Sequence, residues 1–280
     1  MTIIDAHHHL WDPRRRTYDW LAGLDPIRRP YTVADLRAAT TADATVLVQT
    51  VSTVDETEEF LATAADTPLI AGVVGWVNLC APDIADRIAE LRAAPGGDRL
   101  VGIRHPAQDE PDPSWLVRRD VVRGIAAVAA AGLTYDVLVK PAQHEAAVAL
   151  ADAVPGARLV LDHAGKPAIA EDGYEPWSTF LTALALRPNV FCKLSGLVTE
   201  ADWTKWTVDD LRPYASHVLD SFGPDRVMFG SDWPVCELAA TYAEVHETAR
   251  TVTAGLSASE RADVFATTAT RAYPIGAGTG

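Results

Sequence analysis

Short apolar runs recur along the whole chain, at 3–9, 45–51, 70–77, 100–104, 134–139, 158–162, 189–193 and 226–230. Most are continuous rather than alternating, as in Thr45-Val46-Leu47-Val48-Gln49-Thr50-Val51. Continuous runs predict strands buried on both faces, as in a parallel sheet. Between them lie amphipathic stretches with helix-start signals. Thr53-Val54-Asp55-Glu56 and Ser257-Ala258-Ser259-Glu260 read as capping boxes. The alanine-rich segments 116–131 and 142–153 have high helix propensity. Eight strands alternating with helices predict an α/β fold in one domain, residues 1–280, built as a (β/α)8 barrel of the TIM type. An open doubly wound sheet, the rival architecture, calls for a glycine-rich turn after the first strand, and none is there. Gly276-Ala277-Gly278-Thr279-Gly280 mimics such a turn but ends the chain, and reads as a frayed tail.

Where polar residues fall against those strands carries the chemistry. Active sites of such barrels sit at the C-terminal ends of the strands. His7 and His9 end the first strand, Arg104 and His105 the fourth, Asp162 and His163 the sixth, and Asp232 follows the eighth. Histidine and aspartate ligate metals and move protons. Their convergence from four strands is a stronger signal than any one position. Alternate residues of a strand share a face, so Asp5, His7 and His9 are expected together, a costly set to bury without a metal or substrate. His8 then points into the barrel wall as a structural residue. Asp162 is out of phase with His163 and is expected to give a supporting hydrogen bond. His105 either touches substrate or is the outward neighbour of Arg104. His144, His217 and His246 fall on predicted helices and read as surface residues. His144-Glu145 and His246-Glu247 begin like HExxH, but Val148 and Arg250 occupy the second histidine position. Ser195, in Cys192-Lys193-Leu194-Ser195-Gly196, lacks a nucleophile elbow.

Charge and composition narrow the partners. The net charge of −14 and pI of about 4.9, with no basic stripe, argue against nucleic acid. No apolar run reaches the roughly 18 residues of a membrane span. The chain enters an apolar strand at Ile3, which leaves no room for a signal peptide. Cys80, Cys192 and Cys236 form no CxxC pair and read as reduced thiols of a cytoplasmic protein. Residues 12–31, with five arginines that read as solvated, and 105–115, with three prolines, are expected as long loops at the mouth, together with 164–178. All eight tryptophans end or follow predicted strands. They either rim the mouth, suiting the C–H faces of a sugar or a planar ring, or fill the loops. On the first reading Trp11 and Trp233 touch substrate.

Asp5-Ala6-His7-His8-His9 fits the Asp-x-His-x-His signature of the amidohydrolase superfamily. The longer Asp5–Pro13 stretch, Val101-Gly102-Ile103-Arg104-His105, Leu161-Asp162-His163-Ala164-Gly165-Lys166-Pro167 and Phe229-Gly230-Ser231-Asp232-Trp233-Pro234 follow in order. With them the chain resembles the sugar-lactonase branch of that superfamily (amidohydrolase 2), which opens L-fuconolactone and L-rhamnonolactone and is related to the pyrone-dicarboxylate lactonases. The resemblance spans almost the whole chain. It implies a (β/α)8 barrel, hydrolysis of a small-molecule sugar lactone, and roles for His7, His9, His163 and Asp232. The chain departs from the metal-rich members: Arg104 replaces their bridging lysine or glutamate, and Val139-Lys140-Pro141 offers no histidine after the fifth strand. A binuclear centre is therefore not expected. No obligatory metal is the favoured expectation, as in the pyrone lactonases. The alternative is one zinc with an open position on His7, His9 and Asp232, joined by His163.

In the expected mechanism Asp232 is the general base and takes a proton from the attacking water. His7, His9 and His163, or a single zinc, stabilise the oxyanion, and Arg104 orients substrate oxygens through its planar fork. Two rivals belong to other classes. A zinc-dependent decarboxylase of the same superfamily would need its metal. A non-catalytic barrel would bind a sugar acid without turning over any lactone.

Overall fold

The eight runs form eight short parallel strands in a computed structural model that describes residues 1–275. They are β1 (Ile4–His8), β2 (Ala44–Val48), β3 (Ile70–Gly75), β4 (Leu100–His105), β5 (Thr134–Val137), β6 (Leu159–Leu161), β7 (Val190–Leu194) and β8 (Val227–Phe229). Spatial order equals sequence order, and every neighbouring pair is parallel. The helices that matter for the site are α1 (Val54–Ala65), α2 (Arg119–Ala130), α3 (His144–Ala153), α4 (Tyr174–Ala185), α5 (Leu197–Glu200), α6 (Tyr242–Val252) and α7 (Thr268–Ala272). This is the (β/α)8 barrel the apolar pattern predicts.

The runs are continuous because both faces of each strand are covered. Leu47, Val73, Ile103 and Leu161 belong to the outer core, while Val46, Val48, Val74 and Val160 form an inner one. All eight are 0% exposed. Each such side chain gains roughly 1.5–3 kcal/mol over an exposed one. The C-terminal segment closes the N-terminal end of the barrel. Ala272, Tyr273 and Ile275 join the inner core, and a Cβ on Gly72 would lie 2.9 Å from Ile275. Glycine there makes room for the plug.

Closure between β8 and β1 happens beside the histidines. His9 N–H donates to Trp233 O (2.7 Å), and Asp232 N–H donates to His7 O (2.8 Å). Asp5 adds to it, accepting from Ser231 N–H (2.8 Å) and Ser231 O–H (2.6 Å). The seam that completes the sheet thus sets His7, His9 and Asp232 side by side.

Two local expectations change. The capping box at Ser257 is complete, but at Thr53 only half forms. The Glu56 carboxylate accepts instead from Thr50 N–H (2.7 Å) and Val51 N–H (3.0 Å), tying down the loop after β2. The 116–131 helix splits into a turn at Trp115–Val117 and α2. Among the described residues no helix is long and apolar enough to cross a membrane. The glycine-rich stretch 276–280 lies outside the described residues.

Candidate active site

The register of β1 against β2 slips between Asp5 and His8. Ala6 joins the inner core, yet the next residue, His7, also reaches inner groups, Lys193 and Asp162. A regular strand does not allow two consecutive inward residues; an irregular one does. Asp5 consequently leaves the histidine face, which corrects the expected trio. Its carboxyl is spent on Ser231, and burial, partly offset by those bonds, raises it to about 6. His8 does sit in the wall, and both of its ring nitrogens are buried without a hydrogen-bond partner.

His7, His9, His163 and Asp232 meet at the mouth. His7 Nε2 and His9 Nε2 are 3.1 Å apart, and they lie 3.8 and 3.5 Å from Asp232 Oδ1. His163 Nε2 stands 3.9 Å from the same oxygen. His9 Nδ1 lies 2.7 Å from Val48 O, so that nitrogen carries a hydrogen and Nε2 is the atom turned toward His7 and Asp232. Burial, then the Lys193 charge, hold His7 well below the ordinary histidine range. Burial pushes His163 down to about 4 against the pull of Asp232. Burial alone would raise Asp232, but His163, His9 and Lys166 outweigh it and keep the carboxyl below its ordinary value. The site therefore holds a carboxylate facing two imidazoles, His7 and His163, that burial keeps neutral.

That donor set fits one metal ion. Four ligands at zinc distances of about 2.0–2.1 Å in a tetrahedron have donor atoms roughly 3.3–3.4 Å apart. The observed separations of 3.1, 3.5 and 3.8 Å bracket that value. His7, His9 and Asp232 form one convergent group, and His7, Asp162 and His163 a second that shares His7. Neutral imidazoles and a carboxylate are the protonation states metal ligands need.

His163 arrives on an unusual turn. Residues His163, Ala164, Gly165 and Lys166 all have positive φ (52, 50, 73 and 53°), a short left-handed turn in which three residues carry a Cβ. Such backbone costs roughly 1–2 kcal/mol per non-glycine residue. Tertiary bonds hold it. Trp177 Nε1–H donates to Ala164 O (2.7 Å), His144 Nε2 lies 2.7 Å from Gly165 O, and His163 Nδ1 lies 3.0 Å from Ser195 Oγ. His144 is therefore not a surface residue: it is buried and stacks on Phe180. His217 and His246 are half-buried, the first bonded to Ser178 O, the second packed on Phe229 and Phe265. Gly196 lies against the His163 ring, where a Cβ would come within 2.7 Å of Nδ1.

Beneath the mouth lies a polar layer in which expected Asp162 meets two residues the sequence reading missed, Lys193 and Asp136. Lys193 Nζ contacts Asp136 (2.5 Å), Asp162 (2.8 Å) and His7 Nδ1 (3.0 Å), all fully buried. Tyr273 O–H donates to Asp136 from the C-terminal plug (2.7 Å). Burial opposes charge on Asp162, but Lys193, His7 and Arg104 hold it well below the carboxylate range. A signal existed: a lone charge in an otherwise apolar, doubly buried strand must be paired.

The expected substrate residues divide. A cavity of about 810 Å³ opens at the mouth, walled by His9, His163, Asp232, Arg104, His105 and residues of loops 12–31 and 105–115. Arg104 lines it, but its fork is spent on the protein. Nε and Nη2 donate to Gln49 and Nη1 to Asp162, leaving Nη1 to face His7 Nε2 at 3.4 Å. His105 lines it with both nitrogens engaged. Nδ1 accepts from Trp76 Nε1–H (3.0 Å), so Nε2 carries the hydrogen and donates to Glu110 (2.7 Å). Trp11 and Trp233 do not line the cavity, contrary to expectation. Trp11 is buried with its N–H on Ile27 O, and Trp233 with its N–H on Glu237. Both are packed under the folded-over 12–31 loop through Tyr31. Of the eight tryptophans only Trp20 lines the cavity among the described residues, so loop filling wins over an aromatic rim.

Residues 4–275 match the amidohydrolase family. The chain belongs to that family. Two curated relatives of this amidohydrolase are L-fucono-1,5-lactonases. The one from Burkholderia multivorans is 43% identical, over 97% of this chain and 96% of its own. The one from Burkholderia ambifaria is 40% identical, over 86% and 83%. A crystal structure of a Burkholderia multivorans amidohydrolase with bound zinc superposes with a TM-score of 0.93 at 40% identity, covering 99% of this chain and 100% of that one.

Proposed function

We propose that this amidohydrolase opens a sugar lactone, L-fucono-1,5-lactone in first place, by water attack on the ring ester. The observation that carries the reading is the convergence of His7, His9, His163 and Asp232 at an open cavity, in a chain 43% identical from end to end to a lactonase. We infer that one divalent metal, zinc in first place, belongs on His7, His9 and Asp232, although the sequence alone favoured none. The reason is the histidines' own chemistry. His9, with its Nδ1–H committed to Val48 O, turns only Nε2 to the site, and in the neutral ring that atom would offer a lone pair to a metal rather than a proton to an oxyanion. A zinc ion held there supplies a Lewis acid for the lactone carbonyl.

The chain's residues do the rest. All three imidazoles approach Asp232 Oδ1, which leaves Oδ2 to take the proton of the attacking water. The water oxygen bonds to the carbonyl carbon, the ring C–O bond breaks, and Asp232 returns the proton to the leaving oxygen. Arg104 and Lys193 hold Asp162 and His7 in place from below. The free thiols of Cys80, Cys192 and Cys236 support a reducing, cytoplasmic setting.

The test is hydrolysis of an aldonolactone panel, followed by pH indicator, with chelation and zinc add-back. Expected are turnover lost on chelation and restored by zinc, and a loss of ~10²-fold or more in kcat for Asp232→Asn. Turnover untouched by chelation would refute the metal, and no turnover of any lactone would refute the reading itself.

A further inference from the structure

The turn that delivers His163 also delivers a cation, Lys166, which helps keep Asp232 ionised but has no part in the bond-breaking step given above. Lys166 N–H donates back to His163 O at 2.8 Å, a bond from residue i+3 to residue i. In such tight turns the side chains i and i+3 stand over one another. His163 and Lys166 thus face the same way, and both line the cavity with Asp232. The left-handed backbone at Lys166 (φ 53°) is one a glycine would adopt without cost. Its one carboxylate contact among the described residues is a loose ion pair. The nearest carboxylate, Glu200 of α5, is 3.6 Å from Nζ, outside hydrogen-bond reach. The other cations of the site differ. Lys193 is clamped between two buried carboxylates, and Arg104 is fixed by Gln49 and Asp162. Lys140, which also lines the cavity, is half exposed beside Asp109 at the rim.

We propose that Lys166 is a catalytic residue whose ammonium hydrogen-bonds the ring oxygen of the lactone as that oxygen becomes the leaving alkoxide. The proposal rests on the lactonase reading. On the lactonase reading the carbonyl carbon lies beside Asp232, the base that activates the water, in the cavity that His9, His163 and Lys166 also line. The ring oxygen is attached to that same carbon, so a lactone seated there with its ring toward the 163–166 turn would bring that oxygen to Lys166. Bond changes are those given above: the water oxygen joins the carbonyl carbon, and the ring C–O pair stays on the leaving oxygen, which takes its proton from Asp232. Lys166 keeps its own protons and lends charge to the departing oxygen.

The experiment compares wild type, Lys166→Met and Lys166→Arg on one aldonolactone and on the thiolactone of the same sugar. The thiolactone has nearly the same shape, but its leaving thiolate is a weaker base and a poor hydrogen-bond acceptor. Expected for Lys166→Met is a fall in kcat on the order of 10²-fold on the oxygen lactone and under about tenfold on the thiolactone. Metal content and Tm should be unchanged, with part of the loss recovered by Lys166→Arg. Equal losses on both substrates would mark Lys166 as structural and overturn the proposal, as would wild-type kcat on the oxygen lactone. If Lys166→Met fails to fold, Lys166→Gln is compared on the same pair of substrates. A wild-type enzyme inactive on every lactone would instead sink the lactonase reading.

Discussion

Acidification through the ordinary histidine range should weaken this fold, and His144 carries a measurable share of the loss. The ring stacks on Phe180 with centroids 3.7 Å apart and planes 8° apart. Its Nε2 lies 2.7 Å from Gly165 O, a group that only accepts, so the neutral ring with its hydrogen on Nε2 satisfies the site. Burial, partly offset by that carbonyl, holds the ring at about 4 against an ordinary 6.5. Above pH 6.5 the ring is neutral whether folded or unfolded, and its contribution is constant. Between 6.5 and 4 the unfolded chain binds a proton the folded chain refuses, so stability falls as pH falls. Below 4 both forms are charged and the loss levels off. At about 1.36 kcal/mol per pKa unit the gap is worth about 3 kcal/mol, of which about 2.5 is lost by about pH 4.5. Buried His163, also held at about 4, adds a similar loss in the wild type. The informative quantity is therefore the difference between wild type and His144→Leu, read by denaturant unfolding at about pH 7.5 and about pH 4.5. His144→Leu should be weaker at neutral pH, having lost a bond and a stack, yet should lose about 2.5 kcal/mol less on acidification. Parallel losses in the two proteins would refute the reasoning.

Gly196→Ala places a Cβ 2.7 Å from His163 Nδ1 at a φ of +67°. It should cost about 1–2 kcal/mol, lower Tm by about 2–4 °C and lower kcat, while an unchanged kcat would show that the His163 ring position does not matter. Tyr273→Phe removes the phenol that donates to Asp136 and leaves a buried carboxylate one donor short. The expected loss is about 1–3 kcal/mol in denaturant unfolding, and wild-type stability would mean that Lys193 alone satisfies Asp136.

The barrel and the four mouth residues were legible because the causes are local. Strands covered on both faces must be apolar throughout, and a polar residue that ends such a strand has only the mouth to face. Asp5 was misplaced because its face depends on a register slip against β2, and pairing partners are not written in the β1 sequence. Trp11 and Trp233 were misplaced for a related reason: their position after a strand is local, but the loop that buries them closes through Tyr31, well along the chain. Lys193 and Asp136 are a different kind of miss. Each stands alone among apolar neighbours, and burial on both faces requires such charges to find one another across the barrel. The left-handed turn at 163–166 was the least legible feature, since three of its four residues disfavour that backbone. Its causes sit elsewhere, in His144 and Trp177, which read as a surface histidine and as a tryptophan of the mouth. Local preference and tertiary bonding disagree most at that turn, and the strain is sustained where two cavity-lining groups, His163 and Lys166, are put on display.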